Sequence, residues 1–299
     1  MDKPTLWAMV GLSASGKSTI AKHIADNSDC IIVSSDEIRG QICDDGVIDQ
    51  SKNEEVFKIF HKRIKDNLRV GNDVIADATN INMKARRSLL ENVKKIDCYK
   101  IAYIIPKSVE KCIEDNIYKE YPVPHHVIQK QMMNFQIPFL EEGFDEIQIH
   151  SFAREFEITL IDMFEKMRGF DQKNPYHSMT LDNHCYNTVS LFEKKYMYPK
   201  DYVRAAYIHD IGKLYTQKFD EDGVAHYFQH ESVGSYFILS NYNNLDIDTE
   251  TILNMCFLIN YHMMPMGWDS DKAKQKWKRR FGEYKYKMLL DFNECDKAR

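Results

Sequence analysis

The sequence predicts an α/β domain, with a parallel sheet covered by helices, followed by an all-α domain. Three observations lead to this prediction. The first half alternates short apolar runs with amphipathic helical patterns, as expected of a parallel sheet with helices on its faces. A Gly-rich segment joins the first apolar run to the first helical pattern. After Ser151 the alternation ceases, and helical patterns dominate up to residue 299.

The elements of the α/β domain follow from the spacing of its apolar residues. Phe60, Ile64 and Leu68 recur at intervals of four, which predicts one apolar face of a helix. Short apolar runs bounded by turn residues predict buried strands. We predict helices over Lys17–Asp26, Asn53–Arg69 and Met83–Lys94, and strands over Leu6–Val10, Cys30–Val33, Val74–Ala76, Tyr99–Ile105 and Glu146–Ile149.

Length and composition indicate two soluble domains. A chain of 299 residues is long enough for two domains with separate cores. Hydrophobic residues make up 43% and charged residues 28%, as in ordinary globular proteins. The polar stretch from Gly169 to Pro175 is a plausible linker. We therefore predict domains over residues 1–152 and 176–299, joined by a connecting helix and linker over residues 153–175.

Charge and cysteine usage exclude some classes of protein. The net charge of −5 gives no general attraction for nucleic acid, so such a partner would need local basic patches. The seven cysteines are scattered, without C-x-x-C spacing, which argues against a disulfide framework or a thiolate zinc site. The first apolar run ends at Gly11 and is too short for the core of a signal peptide. No stretch approaches the roughly 18 apolar residues of a membrane span. We expect a soluble cytoplasmic protein with no membrane partner.

The Gly-rich segment matches a phosphate-binding loop, G-x-x-x-x-G-K-[ST], at every fixed position. It follows a predicted strand and opens a predicted helix, so its backbone N–H groups would face phosphate oxygens. A lysine at this position reaches the β- and γ-phosphates, and the following serine hydroxyl binds Mg²⁺. We predict a site for ATP, or another nucleoside triphosphate, with Mg²⁺. Its residues are Gly11, Ser13, Ala14, Ser15, Gly16, Lys17, Ser18 and Thr19.

Acidic residues follow the second and third predicted strands. In an open parallel sheet, ligands bind beyond the carboxyl ends of the strands, where Asp36 and Asp77 would lie. A kinase needs a group that accepts the proton of the attacking hydroxyl, and Asp36 is placed for this role. Arg39, one helical turn later, could hold a substrate phosphate. The alternative is that Asp36 only caps the helix that follows it.

These motifs resemble the kinase domain of phage and bacterial polynucleotide 5′-kinases. The resemblance covers roughly the first 150 residues and includes Ser35-Asp-Glu-Ile-Arg39 and Asp77-Ala-Thr-Asn80. It implies that Asp36 is the general base, that Arg39 contacts the substrate phosphate, and that Asp77 lies in the active site. The family usually carries arginines in a lid before Val-Pro. Here Lys119 could replace one of them as a point charge without a bidentate fork.

The second half contains an H-D-x-G-K string at residues 209–213, inside an apolar segment whose spacing predicts a helix. An adjacent His-Asp pair on an apolar segment is costly to bury unless it is paired or binds a metal. Imidazole and carboxylate together suit first-row divalent metals, which activate water for phosphate ester hydrolysis. Lys213 could then neutralise a phosphate oxygen. A lone histidine is more often a surface or core residue, so the prediction depends on the whole string.

Residues 177–299 resemble the HD superfamily of metal-dependent phosphohydrolases, especially the HD domains attached to bacterial tRNA nucleotidyltransferases. The resemblance implies an HD site with a divalent transition metal such as Mn²⁺, Ni²⁺, Co²⁺, Fe²⁺ or Zn²⁺. It assigns Asp296 as the last core ligand, with Asp291 as a rival for that position. His230 and His262 match additional ligands of two-metal members. The expected ligands are His184, His209, Asp210, His230, His262 and Asp296.

A basic and aromatic segment covers residues 272–287. Cations of this kind track a phosphate backbone, and aromatic faces stack on bases. More often, such a segment is a solvated helix whose aromatic side chains lie in the core.

Together these features predict a bifunctional end-healing enzyme. It would phosphorylate 5′-hydroxyl ends of RNA or DNA and remove a terminal 2′- or 3′-phosphate, or open a 2′,3′-cyclic phosphate, before a nucleic-acid ligase acts. One alternative is a small-molecule or nucleoside kinase fused to an HD nucleotide phosphatase. Another is a regulator that senses nucleotide without turnover. The oligomeric state stays open.

Overall fold

The computed structural model describes residues 3–42, 52–119, 122–175 and 178–297. The chain divides into two compact units. The first contains Met1–Gln131 and Pro138–His150, and the second contains Met132–Ile137 and Ser151–Arg299. Residues 153–175, predicted as a connection, are thus grouped with the second unit. The predicted start of the second domain at residue 176 lies outside the described residues.

The first unit is built on a five-stranded parallel sheet. The strand order is β2-β3-β1-β4-β5. This order makes β1 central, so the loop after β1 leaves the sheet between β3 and β4. The strands are β1 Thr5–Val10, β2 Cys30–Ser34, β3 Asp73–Asp77, β4 Tyr99–Ile104 and β5 Glu146–Ile149.

Among the described residues of this part of the chain, six α-helices accompany the sheet. The longest follows the predicted pattern, because Phe60, Ile64 and Leu68 are buried against the sheet while its charged residues stay outside. Asn82 and Ser108 cap two of the others by accepting hydrogen bonds from backbone N–H groups. The helices are α1 Lys17–Asn27, α2 Ser35–Ile42, α3 Asn53–Arg69, α4 Met83–Val93, α5 Val109–Asn116 and α6 His125–Met133.

The described part of the second unit is helical apart from one short hairpin. The prediction of an all-α domain is wrong at this hairpin, because strands of two residues are too short to produce an alternating pattern. Among the described residues, no helix combines the length and apolar character that a membrane span requires. The helices are α7 Leu160–Glu165, α8 Leu181–Lys195, α9 Lys200–Tyr207, α10 Lys213–Thr216, α11 His230–Ser240, α12 Thr249–Tyr261 and α13 Asp271–Asp296; the hairpin strands are β6 Lys218–Phe219 and β7 Ala225–His226.

Residues before α8 pack into the second unit. Met163 and Met167 are fully buried. The backbone N–H of Leu181 donates to the carbonyl of Phe170 over 3.0 Å. The side chain of Gln172 is buried and donates to the carbonyl of Met179. These contacts hold the segment before α8 against the rest of the second unit.

Candidate functional site

The phosphate-binding loop runs from the end of β1 to the start of α1 and has a constrained backbone. Ala14 and Gly16 both have positive φ angles, 61° and 94°. A Cβ atom on Gly11 would lie 2.7 Å from Ser15 Oγ and 3.0 Å from the carbonyl oxygen of Ile105, so this position requires glycine. No side chain caps the start of α1, which leaves the N–H groups of its first turn directed at the loop.

Lys17 and Ser18 lie at the start of α1. The Lys17 side chain is buried, and its Nζ donates to the carbonyl of Leu12 over 2.5 Å. Burial lowers the pKa of Lys17, and the carboxylates of Asp77 and Asp36 oppose this effect. The Ser18 hydroxyl donates to Asp77 Oδ2 over 2.7 Å. Thr19 follows in the same turn and is exposed. Lysine, hydroxyl and carboxylate thus meet at the carboxyl edge of the sheet.

Asp77 is the last residue of β3. Burial raises the pKa of this carboxyl, while the hydrogen bond from Ser18 and the charge of Lys17 oppose the shift. The sequence assigned Asp77 a general positioning role, and the contact with Ser18 makes that role specific. A carboxylate bonded to the loop hydroxyl can orient that hydroxyl toward a magnesium ion.

Asp36 lies at the start of α2, directly after β2, and its side chain is mostly exposed. Its Oδ2 atom is 3.9 Å from Nζ of Lys119. The structure therefore brings Lys119 to Asp36. Arg39, one turn further along α2, donates to Oδ1 of Asn53 over 2.7 Å. An exposed acid and a guanidinium on one face of α2 can receive a substrate hydroxyl and its neighbouring phosphate.

Gln131 was not found by motif analysis, although it contacts the phosphate-binding loop twice. Its Oε1 accepts from the backbone N–H of Ser13 over 2.7 Å, and its Nε2 donates to Ser13 Oγ over 2.9 Å. No sequence signal marks a single glutamine 118 residues away. Its side chain holds the third residue of the loop in place.

The residues of the loop fit a nucleoside triphosphate with Mg²⁺. Ser15 Oγ is buried and has no hydrogen-bond partner among the described residues. A Cβ atom on Gly16 would meet nothing within 4 Å, so this part of the loop leaves room for a close approach of phosphate oxygens. Mg²⁺, when bound, neutralises charge on the β- and γ-phosphates. Ser18 and Asp77, joined by a hydrogen bond, are the two residues that would hold the Mg²⁺ ion.

The second unit gathers the six predicted metal ligands in one place. His184, His209 and Asp296 form one triad, and His209, Asp210 and His262 form another. Within each triad the potential ligand atoms lie within 4.8 Å of one another. His230 joins them, with Nε2 3.0 Å from Asp210 Oδ1 and 3.3 Å from Nε2 of His262.

Three of these imidazoles are oriented by main-chain carbonyls. The Nδ1 atoms of His209, His230 and His262 lie 2.9, 2.8 and 2.8 Å from the carbonyl oxygens of residues 206, 227 and 259. A carbonyl only accepts, so each Nδ1 carries the proton, and in a neutral ring Nε2 keeps its lone pair. Nε2 lone pairs that face the oxygens of Asp210 and Asp296 are repelled by them unless a proton or a cation lies in between. The donor set therefore fits a divalent metal.

The carboxylates of this cluster are held in the ionised form. Burial acts to raise the pKa of Asp210, but Lys213 and His209 outweigh burial and hold that pKa well below its usual range. Burial also opposes ionisation of Asp296, yet the positive charge of His209, when its Nε2 carries a proton that lies between the ring and this carboxylate, lowers the pKa of Asp296. The rival Asp291 is engaged elsewhere, because it accepts from the Tyr198 hydroxyl over 2.6 Å.

Lys213 is fixed beside the cluster by two acceptors. Its Nζ lies 2.7 Å from Asp210 Oδ2 and donates to Gln172 Oε1 over 2.9 Å. It also lies over the ring of Tyr227, 5.6 Å from the centroid. The Tyr227 hydroxyl in turn donates to the carbonyl of Gln172 over 2.5 Å. Gln172 and Tyr227 were not predicted, because neither belongs to a recognisable motif.

His209 and Asp210 lie in a turn between α9 and α10. The helix predicted here from the spacing of the apolar residues is therefore wrong at these two positions. The turn packs closely on α11. A Cβ atom on Gly212 would lie 1.9 Å from the carbonyl oxygen of His230 and 2.7 Å from the amide nitrogen of Gly234. Only glycine permits this approach, which carries His209 and Asp210 up to His230.

The basic and aromatic segment forms most of α13, which is interrupted at Gly282. Phe281 and Tyr286 are buried, and Trp277 stacks near Trp268. Two of its cations lie over the Trp277 ring. The aromatic side chains thus lie largely in or against the core, while the exposed positions are lysine- and arginine-rich. The described cations at the surface include Lys272, Lys274, Lys276, Lys278, Arg279 and Lys287.

Comparison with known proteins agrees with the fold of the first unit. A family model described as "AAA domain" matches residues 6–138. Three solved structures resemble part of the chain. The Pnkp1/Rnl/Hen1 RNA repair complex has 21% identity and a TM-score of 0.40, over 44% of this chain and 43% of that chain. Kti12 from Chaetomium thermophilum, in complex with ADP-AlF3, has 18% identity and a TM-score of 0.41, over 50% and 90%. A gluconokinase from Sinorhizobium meliloti has 16% identity and a TM-score of 0.38, over 52% and 86%.

This chain spans less than half the length of the first of these relatives. The family match, the parallel sheet and the loop after β1 agree with one another. The first unit therefore has a P-loop fold: a five-stranded parallel sheet flanked by helices, with a phosphate-binding loop at its carboxyl edge.

Proposed function

We propose that the chain is a bifunctional nucleic-acid end-healing enzyme. Its first unit would phosphorylate 5′-hydroxyl ends of RNA or DNA, and its second unit would hydrolyse a terminal 2′- or 3′-phosphate or open a 2′,3′-cyclic phosphate. The observation that carries the proposal is that one chain contains two clusters suited to phosphate chemistry. One is Lys17, Ser18 and Asp77 beside the phosphate-binding loop, and the other is the ligand set around Asp210.

In the kinase reaction, the 5′-oxygen attacks the γ-phosphorus of ATP and the bond from that phosphorus to the β–γ bridging oxygen breaks. Asp36 accepts the proton of the 5′-hydroxyl, since it is an exposed acid at the edge of the sheet that holds the loop. Lys17 stabilises charge on the transferred group. Arg39 holds a phosphate of the polynucleotide. Lys119, whose Nζ lies 3.9 Å from Asp36, adds a positive charge for the triphosphate.

In the hydrolase reaction, water attacks the phosphorus of a terminal phosphate and the ester oxygen leaves. A divalent transition metal, when bound, supplies Lewis acidity and lowers the pKa of a bound water. The residues that would hold it are His184, His209, Asp210, His230, His262 and Asp296. Lys213, fixed on Asp210, neutralises a phosphate oxygen of the substrate.

A second candidate is a kinase for a small metabolite or nucleoside joined to a nucleotide phosphatase. The phosphate-binding loop serves either acceptor equally well. A third candidate is a nucleotide-sensing regulator without turnover. Asp36 and the complete set of metal ligands argue against the third candidate, because a protein that only binds nucleotide needs neither a general base nor a hydrolytic metal.

Labelled ATP separates the three candidates. The protein is incubated with γ-labelled ATP and Mg²⁺, together with a 5′-hydroxyl oligonucleotide, a nucleoside or gluconate in parallel reactions. The proposal predicts label on the oligonucleotide, and no transfer by Lys17→Ala. Label on the nucleoside or gluconate alone would support the second candidate. Absence of label in every reaction would support the third.

A further inference from the structure

An exposed pair of parallel rings lies at the end of the hairpin of the second unit, one ring at the end of β7 and the other two residues later. The rings of His226 and Phe228 stack with centroids 5.6 Å apart and an interplanar angle of 4°. Phe228 is 67% exposed, the largest exposed fraction of any described phenylalanine. The pair has no role in either site described above. An exposed aromatic face of this kind is a surface on which a planar ligand stacks.

The His226 ring of the stacked pair is held in place by a hydrogen bond. Nε2 of His226 lies 2.8 Å from Oδ2 of Asp220 across the hairpin. Asp220 is itself fixed, because its Oδ1 accepts from the backbone N–H groups of Asp222 and Val224. A ring whose orientation is fixed in advance loses little conformational freedom when a ligand stacks on it. This favours a binding surface over an incidental exposed side chain.

The pair lies close to the candidate metal centre. Only Gln229 separates Phe228 from His230, so their Cα atoms are at most about 7 Å apart. Gln229 has a φ of 62°, a left-handed conformation that is costly for this residue and typical of functional sites. Tyr227, between His226 and Phe228 in the sequence, contacts the site with its ring, because Nζ of Lys213 lies over that ring. The segment therefore links an exposed stacking surface to the metal ligands over a fixed and short distance.

We propose that His226 and Phe228 form a subsite for the nucleobase of the nucleotide whose phosphate is hydrolysed at the metal centre. In a nucleotide, one ribose separates the base from its 2′- or 3′-phosphate, which suits the short span from Phe228 to His230. Stacking accepts any base, because every base has a π face. The subsite thus selects nucleotide phosphates over other phosphate monoesters. This inference rests on the proposed hydrolase function.

The kinetic test compares a base-bearing and a base-free substrate. Activity on adenosine 3′-monophosphate and on glycerol 2-phosphate is measured with Mn²⁺ for Phe228→Leu, Phe228→Trp and Phe219→Leu. Phe219 is the matched control, since it is an exposed aromatic residue on the same hairpin and pairs with Ala225, one register position away from His226. The ratio of kcat/KM for the nucleotide to that for the glycerol ester should fall about tenfold in Phe228→Leu. It should be retained in the other two variants.

A binding test requires no turnover. Affinity for adenosine 3′-monophosphate is measured by calorimetry in the Lys17→Ala background, which suppresses binding at the phosphate-binding loop. Phe228→Leu should weaken binding about tenfold, and Phe219→Leu should leave it unchanged. Base-dependent binding through Phe228 without hydrolysis would support the subsite and overturn the hydrolase proposal. Hydrolysis with an unchanged substrate ratio and unchanged affinity would overturn the subsite alone. Absence of both would overturn both proposals.

Discussion

The hydroxyl of Ser18 donates a hydrogen bond to Oδ2 of Asp77 over 2.7 Å. This contact joins the first turn of α1 to the end of β3, two elements 59 residues apart in sequence. It converts the serine of the phosphate-binding loop into an oriented group, because the carboxylate fixes the position of the hydroxyl proton. The serine oxygen then has lone pairs directed away from Asp77, where a magnesium ion can be held.

The first prediction concerns this pair. Asp77→Asn should lower the affinity for Mg²⁺ about 10- to 100-fold, as expected when the partner of a metal-binding group is replaced. The measurement is the Mg²⁺ dependence of phosphoryl transfer from ATP. Asp73→Asn is the control, because Asp73 is the first residue of the same strand and accepts from the Thr5 backbone N–H at its opposite end. An unchanged Mg²⁺ dependence in Asp77→Asn would contradict the assigned role.

The second prediction concerns the contact of α6 with the phosphate-binding loop. Gln131→Ala removes both hydrogen bonds to Ser13, and the less ordered loop should raise the KM for ATP about 3- to 10-fold. Steady-state kinetics with varied ATP measure this change. Gln129→Ala is a matched control, since Gln129 is exposed on the same helix. If both variants kept the original KM, Gln131 would have no part in the site.

The third prediction concerns the carboxylate at the centre of the second site. Asp210→Asn should abolish metal-dependent phosphatase activity and retain ATP-dependent transfer. It should also reduce stability by about 3–5 kcal/mol, because Lys213 would lose its buried ionic partner. Elemental analysis of metal content and thermal unfolding provide the two measurements. A variant that kept both its metal and its phosphatase activity would exclude this cluster as the catalyst.

The fourth prediction concerns the residue that positions Lys213. Gln172→Ala should lower kcat for phosphate hydrolysis about tenfold with metal content retained, because removing one acceptor lets the ammonium move from its place. Gln172→Glu keeps an acceptor oxygen and should restore most of the activity. A purely structural role would instead lower stability in both variants and leave kcat unaltered.

The fifth prediction concerns stability. Gly212→Ala would place a methyl group 1.9 Å from the carbonyl oxygen of His230, so the two backbones must separate. The free energy of unfolding should fall by about 3 kcal/mol or more, at the upper end of overpacking effects. Gly267→Ala is the control, because a Cβ atom there meets nothing within 4 Å. Equal unfolding midpoints in denaturant for the two variants would contradict this packing.

Several elements of the fold could be predicted because each has a local cause. The amphipathic pattern around Phe60 and Ile64 gives a helix with the observed bounds Asn53–Arg69. The five strands were predicted within one or two residues of their ends. The strand order was beyond sequence analysis, because it depends on which strands pair across the sheet and no residue pattern specifies this. The hairpin was missed because its strands have two residues each.

The candidate sites were predictable to the extent that they contain motifs. The phosphate-binding loop can be recognised from the spacing of its residues, and so can the H-D-x-G-K string that contains His209 and Asp210. Gln131 and Gln172 do not, because a single amide acquires its role only from the tertiary contact that it makes. The turn conformation around Asp210 was also hidden, since its apolar neighbours follow a helical spacing although Gly212 must approach α11 closely.

A single oligonucleotide shows whether the chain acts on both kinds of end. The substrate carries a 5′-hydroxyl and a 3′-phosphate and is incubated with ATP, Mg²⁺ and Mn²⁺, and the mass of the product is measured by mass spectrometry. We expect a product with a 5′-phosphate and a 3′-hydroxyl. Lys17→Ala should remove only the 3′-phosphate, and Asp210→Asn should add only the 5′-phosphate. If both ends were unchanged after the wild-type reaction, neither proposed activity would stand.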